Sequence, residues 1–216
     1  MSESSLRITE VFLSLQGEAL SSGLPTVFVR LTGCPLRCQY CDTAYAFHGG
    51  EKRLMSELLD EIASHKVKRV CVTGGEPLAQ PGVHELMTTL CDQGYEVSLE
   101  TSGALPVEEV DERVQRVIDW KTPDSAEQDK NLASNMQQLR ASDQIKFVIC
   151  SRKDYDWARF ETDRLELADK VAAVWFSPSF GQQDATQLAD WIVEDRLPVR
   201  FQPQLHKLLW NDEPGR

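Results

Sequence analysis

A chain of 216 residues fits one domain, or one domain with small additions, and its 41% hydrophobic content supplies a sizeable core. A formal charge of −11 argues against a nucleic-acid surface, which needs a basic stripe to replace condensed counterions. No apolar run is long enough for a membrane helix, and the opening Met-Ser-Glu-Ser-Ser holds no signal core, so the expected location is the cytoplasm, where six cysteines stay reduced.

Apolar alternation predicts strands over 7–13 and 26–31, followed by a long loop over 32–53. Ser56 opens a helix over 57–65 with Glu57, Asp60 and Glu61 in its first turn, where the helix dipole favours acids. A strand over 69–73 leads to a helix over 83–93, placed after Pro81 and stopped by Gly94. Strands over 96–100 and 116–120, a loop over 121–130 and a helix over 131–139 come next. The chain finishes with a strand over 144–149, a helix over 154–167, a strand over 171–176, a helix over 185–194 and a strand over 199–202.

Strands separated by helices imply a mainly parallel sheet. Eight complete βα units take about 250 residues, more than this chain can spend. The expected fold is therefore α/β: a partial, open βα barrel forming a single domain over 1–216. Ligands in such folds sit beyond the C-terminal ends of the strands. That rule selects 32–47, 73–77, 101–103, 121–124, 177–180 and 202–207.

The sharpest motif, Cys34-Pro-Leu-Arg-Cys38-Gln-Tyr-Cys41, follows directly on the second strand. Three thiolates within eight residues can wrap one metal centre. A zinc-binding interaction module would close the set with a fourth ligand, for which His48 is available. A [4Fe–4S] cluster held by three cysteines instead leaves one iron open to a cofactor. Cys71, Cys91 and Cys150 stand singly and read as small buried hydrophobes.

The CxxxCxxC spacing is the pattern of the radical S-adenosylmethionine (SAM) superfamily, and Thr73-Gly-Gly-Glu-Pro77 resembles its Gly-Gly-Glu-Pro motif. Two glycines let backbone groups approach a ligand closely. Leu15-Gln-Gly-Glu18, Arg30-Leu-Thr-Gly-Cys34, Cys41-Asp-Thr43, Glu100-Thr-Ser-Gly103 and Gln204-Leu-His-Lys207 narrow the likeness. Together they resemble the 7-carboxy-7-deazaguanine synthases over nearly the whole chain.

The resemblance implies a lyase of queuosine biosynthesis that turns 6-carboxy-5,6,7,8-tetrahydropterin into 7-carboxy-7-deazaguanine with loss of ammonia. It implies Cys34, Cys38 and Cys41 as cluster ligands and Thr43 as a Mg²⁺ ligand. Cofactor contacts are expected from Tyr40, Cys41, Asp42, Gly75, Glu100, Ser102, Lys121, Thr122, Pro123, Ser177, Pro178, Ser179 and Phe180. Substrate contacts are expected from Leu15, Gln16, Gly17, Arg30, Thr73 and His206. A homodimer and an external, flavodoxin-like electron donor are implied as partners, with no nucleic acid and no membrane. A glycyl-radical activating enzyme shares the cysteine spacing, but Gln16, Arg30 and Thr43 fit a pterin pocket better. Residues 208–216 extend beyond the family's usual end, and Trp120-Lys-Thr-Pro123 departs from the Ser-Pro-Lys segment associated with the family.

Overall fold

The computed structural model describes residues 3–211 together with 213 and 215. Strands β1 (Ser5–Leu15) and β2 (Pro25–Leu31) form an antiparallel hairpin, and the short β3 (Glu51–Leu54) extends it on the β1 side. From β2 onward every pairing is parallel: β4 (Arg69–Gly74), β5 (Glu96–Thr101), β6 (Gln115–Asp119), β7 (Gln144–Ile149), β8 (Ala173–Pro178) and β9 (Arg200–Phe201). The order is β3-β1-β2-β4-β5-β6-β7-β8-β9, and the edge strands β3 and β9 do not pair, so the barrel is open as expected.

Side chains alternate between the two faces of a strand, and here the two faces differ sharply. One face carries Val27, Val29, Leu31, Val70, Val72, Val97 and Leu99, which pack with α1 (Met55–Ser64) and α2 (Val83–Asp92). Further along, Ile118, Ile145, Phe147, Val174 and Phe176 pack with Tyr155 and Ala158 of α3 (Arg152–Arg164). The same core takes in α4 (Leu167–Lys170) and α5 (Ala185–Asp195) through Leu167, Leu188 and Ile192. Each fully buried aliphatic side chain contributes about 1.5–3 kcal/mol. The opposite face carries Arg30, Thr73, Glu100, Asp119, Lys146 and Ser177, all lining one cavity. Hydrophobic burial thus fixes the outer face and leaves the inner face free for chemistry.

No α-helix covers the crossovers over 102–114 and 120–143. A buried ion pair organises them instead. Arg116 on β6 donates through Nε and Nη2 to Asp143, at 2.9 and 2.5 Å, and both side chains are fully buried. Its remaining donors reach the Val107 and Gln138 carbonyls at 2.9 and 2.6 Å. Asn135 ties the same loops together through the Gly103 and Leu105 carbonyls.

Several expectations need correction. The helix expected over 131–139 is two short 3₁₀ turns, Gln128–Lys130 and Ala133–Gln137, because Asn135 is spent on loop carbonyls. Leu54, not Ser56, precedes α1, and the Glu57 carboxylate accepts from the Leu54 N–H at 3.1 Å. The loop expected over 32–53 ends in β3. Val171 lies at the end of α4, so β8 starts at Ala173, and the last strand shrinks to two residues. Ser151 caps α3 by accepting from the Asp154 N–H. The chain after β9 forms α6 (Leu205–Trp210), which the residue pattern did not announce.

Arg116→Met would leave Asp143 buried and unpaired, and should lower the unfolding free energy in urea by about 3–5 kcal/mol. Arg113→Met, which breaks exposed pairs to Asp92 and Asp111, should leave it nearly unchanged. Equal losses would contradict the structural role of the buried pair.

Candidate active site

The inner face opens on a cavity of about 690 Å³ at the C-terminal ends of the strands, a size suited to a nucleoside-like ligand plus a second small molecule. Cys34, Cys38 and Cys41 line it, each partly buried, on the loop leaving β2. Arg37 shapes that loop by donating to the Cys34 and Leu36 carbonyls at 2.8 and 2.6 Å and stacking on Phe47 at 4.2 Å. Burial pushes the Cys34 thiol up and holds Cys38 at about 11, so a metal centre here must displace protons. Among the described residues, no three His, Cys, Asp or Glu side chains are drawn together tightly enough for a single metal ion. His48, needed to close a zinc site, is exposed and outside the cavity wall.

The exit of β4 lies against this loop. Gly74 has φ +151°, and a Cβ there would meet the Leu31 carbonyl oxygen at 2.4 Å. At Gly75 a Cβ would meet the Gly33 oxygen at 2.3 Å and Cys34 at 2.8 Å. The glycine pair is therefore a condition for the two strand exits to touch. Glu76, fully buried, does not face the ligand space. Its carboxylate accepts from the Leu78 and Ser102 N–H groups at 3.0 and 2.7 Å and from the Thr101 and Ser102 hydroxyls. It pins the exit of β5 to that of β4.

Residues 16–20 follow β1 and pack against β5, β7 and the chain after β9. Glu18 forms a buried ion pair with Lys146 of β7 and accepts from Gln204 at 2.7 Å. The Ala19 and Leu20 N–H groups donate to Gln202 and Gln144 at 2.7 and 2.9 Å. Gln16 donates to Glu100 at 3.2 Å, and Thr73 donates to the other Glu100 oxygen at 3.0 Å. Gly17 leaves no space for a Cβ, which would meet His206 Nδ1 at 2.2 Å. The helix α6 carries Lys207, whose ammonium pairs with Asp42 at 2.8 Å.

Two buried carboxylates thus compete for one lysine. Burial raises the Glu18 pKa, but Lys146 outweighs it and holds the group below its ordinary value. Glu100 is pushed up, first by burial and then by the Glu18 charge. Burial alone would lower Lys146, but Glu18, Asp119 and Glu100 raise it. Asp42 is raised by burial yet brought down to about 2 by Lys207.

The cavity wall includes Gln16, Gly17, Arg30, Tyr40, Asp42, Thr43, Thr73, Gly75, Glu100, Ser102, Lys121, His206 and residues 177–180. Leu15, Thr122 and Pro123 do not line it, and the Thr122 hydroxyl is spent on the Val148 carbonyl. Glu100 and Asp42, expected as cofactor contacts, are engaged by Gln16 and Thr73 and by Lys207. Arg30 is paired with Glu10 at 2.7 Å. Sequence reasoning missed Glu18, Asp119, Lys146 and Gln204. The signal for Lys146 and Asp119 was present as charges at alternate positions of otherwise apolar strands. Glu213 and Gly215 also line the cavity, so the C-terminal extension returns to the site; residues 212, 214 and 216 lie outside the described residues.

Residues 28–122 match the Radical SAM superfamily profile. The chain is 42% identical to the 7-carboxy-7-deazaguanine synthase of Chlorobaculum tepidum, over 98% of this chain and 97% of that one. It is 40% identical to that of Koribacter versatilis, over 96% and 98%. The chain belongs to the 7-carboxy-7-deazaguanine synthase family. It is a radical SAM lyase of 7-deazapurine biosynthesis, with a [4Fe–4S] cluster and S-adenosylmethionine as cofactors. The crystal structure of QueE from Escherichia coli shares the fold, with a TM-score of 0.75 at 23% identity over 94% of this chain and 95% of that one. The residues present fit both cofactors. Three thiols share one loop, Gly75 leaves a cradle that a Cβ would fill, and the buried Tyr40 and Ser177 hydroxyls have no hydrogen-bond partner among the described residues.

Glu100 gains a proton more readily in the fold than at its ordinary value of 4.5. Between that value and its raised folded pKa, the native state binds more protons, so stability falls as pH rises. Glu100→Gln should flatten this decline and raise the melting temperature of the ligand-free protein at pH 7 in calorimetry. A lower melting temperature at pH 7 would contradict the assignment.

Proposed function

We propose that this cavity converts 6-carboxy-5,6,7,8-tetrahydropterin into 7-carboxy-7-deazaguanine with loss of ammonia, with the following division of labour. The observation that carries the reading is the polar inner face, with Gln16, Glu18, Thr73, Glu100 and Lys146 beside three cysteines on one loop. Cys34, Cys38 and Cys41 hold the cluster. When bound, the cluster and S-adenosylmethionine would supply hydrogen-abstracting radical chemistry at C6 of the substrate. Tyr40, Ser177 and Ser179 and the backbone at Gly75 face the cofactor.

The substrate binds on the side of residues 16–20. The Gln16 amide offers a donor and an acceptor to the pterin edge, and the Glu100 carboxylate accepts from its N–H groups. Arg30 faces the substrate carboxylate. Thr43, whose Oγ1 lies 3.7 Å from the Cys41 sulfur, would offer a hydroxyl to Mg²⁺. The barrel wall around the cavity limits side reactions of the radical. A homodimer and a flavodoxin-like reductant complete the proposal. Among the described residues no helix is long and apolar enough to cross a membrane.

The test is anaerobic incubation of reconstituted, reduced protein with carboxytetrahydropterin, S-adenosylmethionine and Mg²⁺, read by mass spectrometry. Carboxydeazaguanine should form, and Cys34→Ala, Cys38→Ala and Cys41→Ala should each abolish both product and S-adenosylmethionine cleavage, whereas Cys71→Ala should not. Thr43→Ala should lose the dependence on Mg²⁺ along with most turnover. Product from any motif-cysteine variant would overturn the cluster assignment, and wild-type Mg²⁺ dependence in Thr43→Ala would overturn the metal ligand.

A further inference from the structure

The surroundings of Arg30 are built to a degree that a lone substrate contact does not require. The β1–β2 register runs Ile8↔Leu31 and then Glu10↔Arg30, so one extra residue is inserted at Thr9. Without that bulge, Thr9 would stand opposite Arg30. With it, Glu10 does, and directly opposed residues share a face. Glu10 Oε1 accepts from Arg30 Nε at 2.7 Å and from the Tyr45 hydroxyl at 2.8 Å. The guanidinium carbon lies 5.8 Å from the Phe12 ring and 5.9 Å from the Tyr45 ring. Phe12 is itself fixed by stacking on Phe28 at 5.0 Å. Tyr45 belongs to the single 3₁₀ turn Ala44–Phe47 that follows Thr43, so the same hydroxyl ties the cluster loop to β1.

An arginine has two hydrogen-bonding edges. Glu10 takes Nε, and among the described residues no hydrogen bond holds the terminal Nη1–Nη2 edge. The two rings restrict rotation about the remaining side-chain bonds. The guanidinium is thereby presented to the cavity by one edge, the one whose paired donors match a carboxylate.

The geometry points to Glu10 and Tyr45 as positioning residues that set the terminal edge of Arg30 for the substrate carboxylate, and so determine selectivity for the carboxylated pterin. This inference rests on the reading of Arg30 given above and deepens it. Glu10 and Tyr45 act through Arg30.

The test compares KM and kcat for carboxytetrahydropterin with the inhibition constant of a tetrahydropterin lacking the carboxylate. Glu10→Ala should raise KM about tenfold and Tyr45→Phe about threefold, since each frees the guanidinium to point elsewhere. In both variants kcat should stay within about twofold of wild type, as expected when binding common to ground and transition states is lost. The inhibition constant of the decarboxylated pterin and the iron content should not change. Glu10→Ala combined with Arg30→Ala should be no worse than Arg30→Ala alone. Rising inhibition constants in parallel with KM, or additive losses in the double variant, would overturn the proposal by making Glu10 a structural residue of the hairpin. Should Glu10→Ala not fold, Glu10→Gln and Tyr45→Phe carry the same comparison. An Arg30→Ala variant that keeps wild-type discrimination would overturn both the clamp and the carboxylate role of Arg30. Absence of carboxydeazaguanine from unaltered protein would overturn the substrate reading separately.

Discussion

The ion pair between Glu18 and Lys146 is the contact on which the geometry of the site depends. Residues 16–20 leave the end of β1 and turn onto the inner face of the sheet, where the Glu18 carboxylate is anchored on β7. Burying both charges costs several kcal/mol per ion before their attraction is counted, so this pair is weak as a stabiliser. Its value is directional. With Glu18 fixed, Ala19 and Leu20 meet Gln202 and Gln144, Gln16 meets Glu100, and Gly17 comes against His206. Gln16, Gly17, Ala19 and Leu20 are therefore set by one electrostatic contact between residues distant in the chain.

The second constraint is the close approach of the β2 and β4 exits. Only glycine at 74 and 75 lets the cluster loop lie on β4, and Glu76 then binds the β5 exit. The cysteine side of the cavity and the side of residues 16–20 are consequently held by different devices. One is backbone proximity around Gly75 and Glu76. The other is the charge network of Glu18, Lys146, Glu100 and Gln204. They meet at Asp42, which Lys207 and Gln204 tie back to α6. Asp119 adds a further join, since its ion pair at 2.7 Å orients Lys121 beside Tyr40.

Much of this was legible in the sequence where local pattern and tertiary role agree. The strand 144–149 is read to the residue, because Ile145, Phe147 and Ile149 alternate with Gln144 and Lys146. The cysteine loop and the glycine pair were legible because their chemistry is local. The strand β3 was not, since Glu-Lys-Arg-Leu on an edge carries no apolar alternation. The stretch 131–139 looked helical from composition, but Asn135 binds loop carbonyls that no local signal announces. Arg116 reads as a breach in an apolar strand until Asp143 is found beside it. Arg30 shows the same limit in the site. Its side of the strand was legible, its partner was not, because Glu10 reaches it only through a bulge. Glu18 and Lys146 stood in plain view as charges, but their pairing is a long-range fact.

Amide hydrogen exchange across residues 16–20 in Lys146→Met, alongside pterin affinity, tests this account most directly. With Glu18 released from β7, the Ala19 and Leu20 amides should lose their protection and carboxytetrahydropterin binding should fall at least about tenfold. Cluster content should remain that of the wild type. Unchanged protection of these amides, or wild-type pterin affinity with the pair broken, would contradict the claim that this one contact holds the substrate side of the site together.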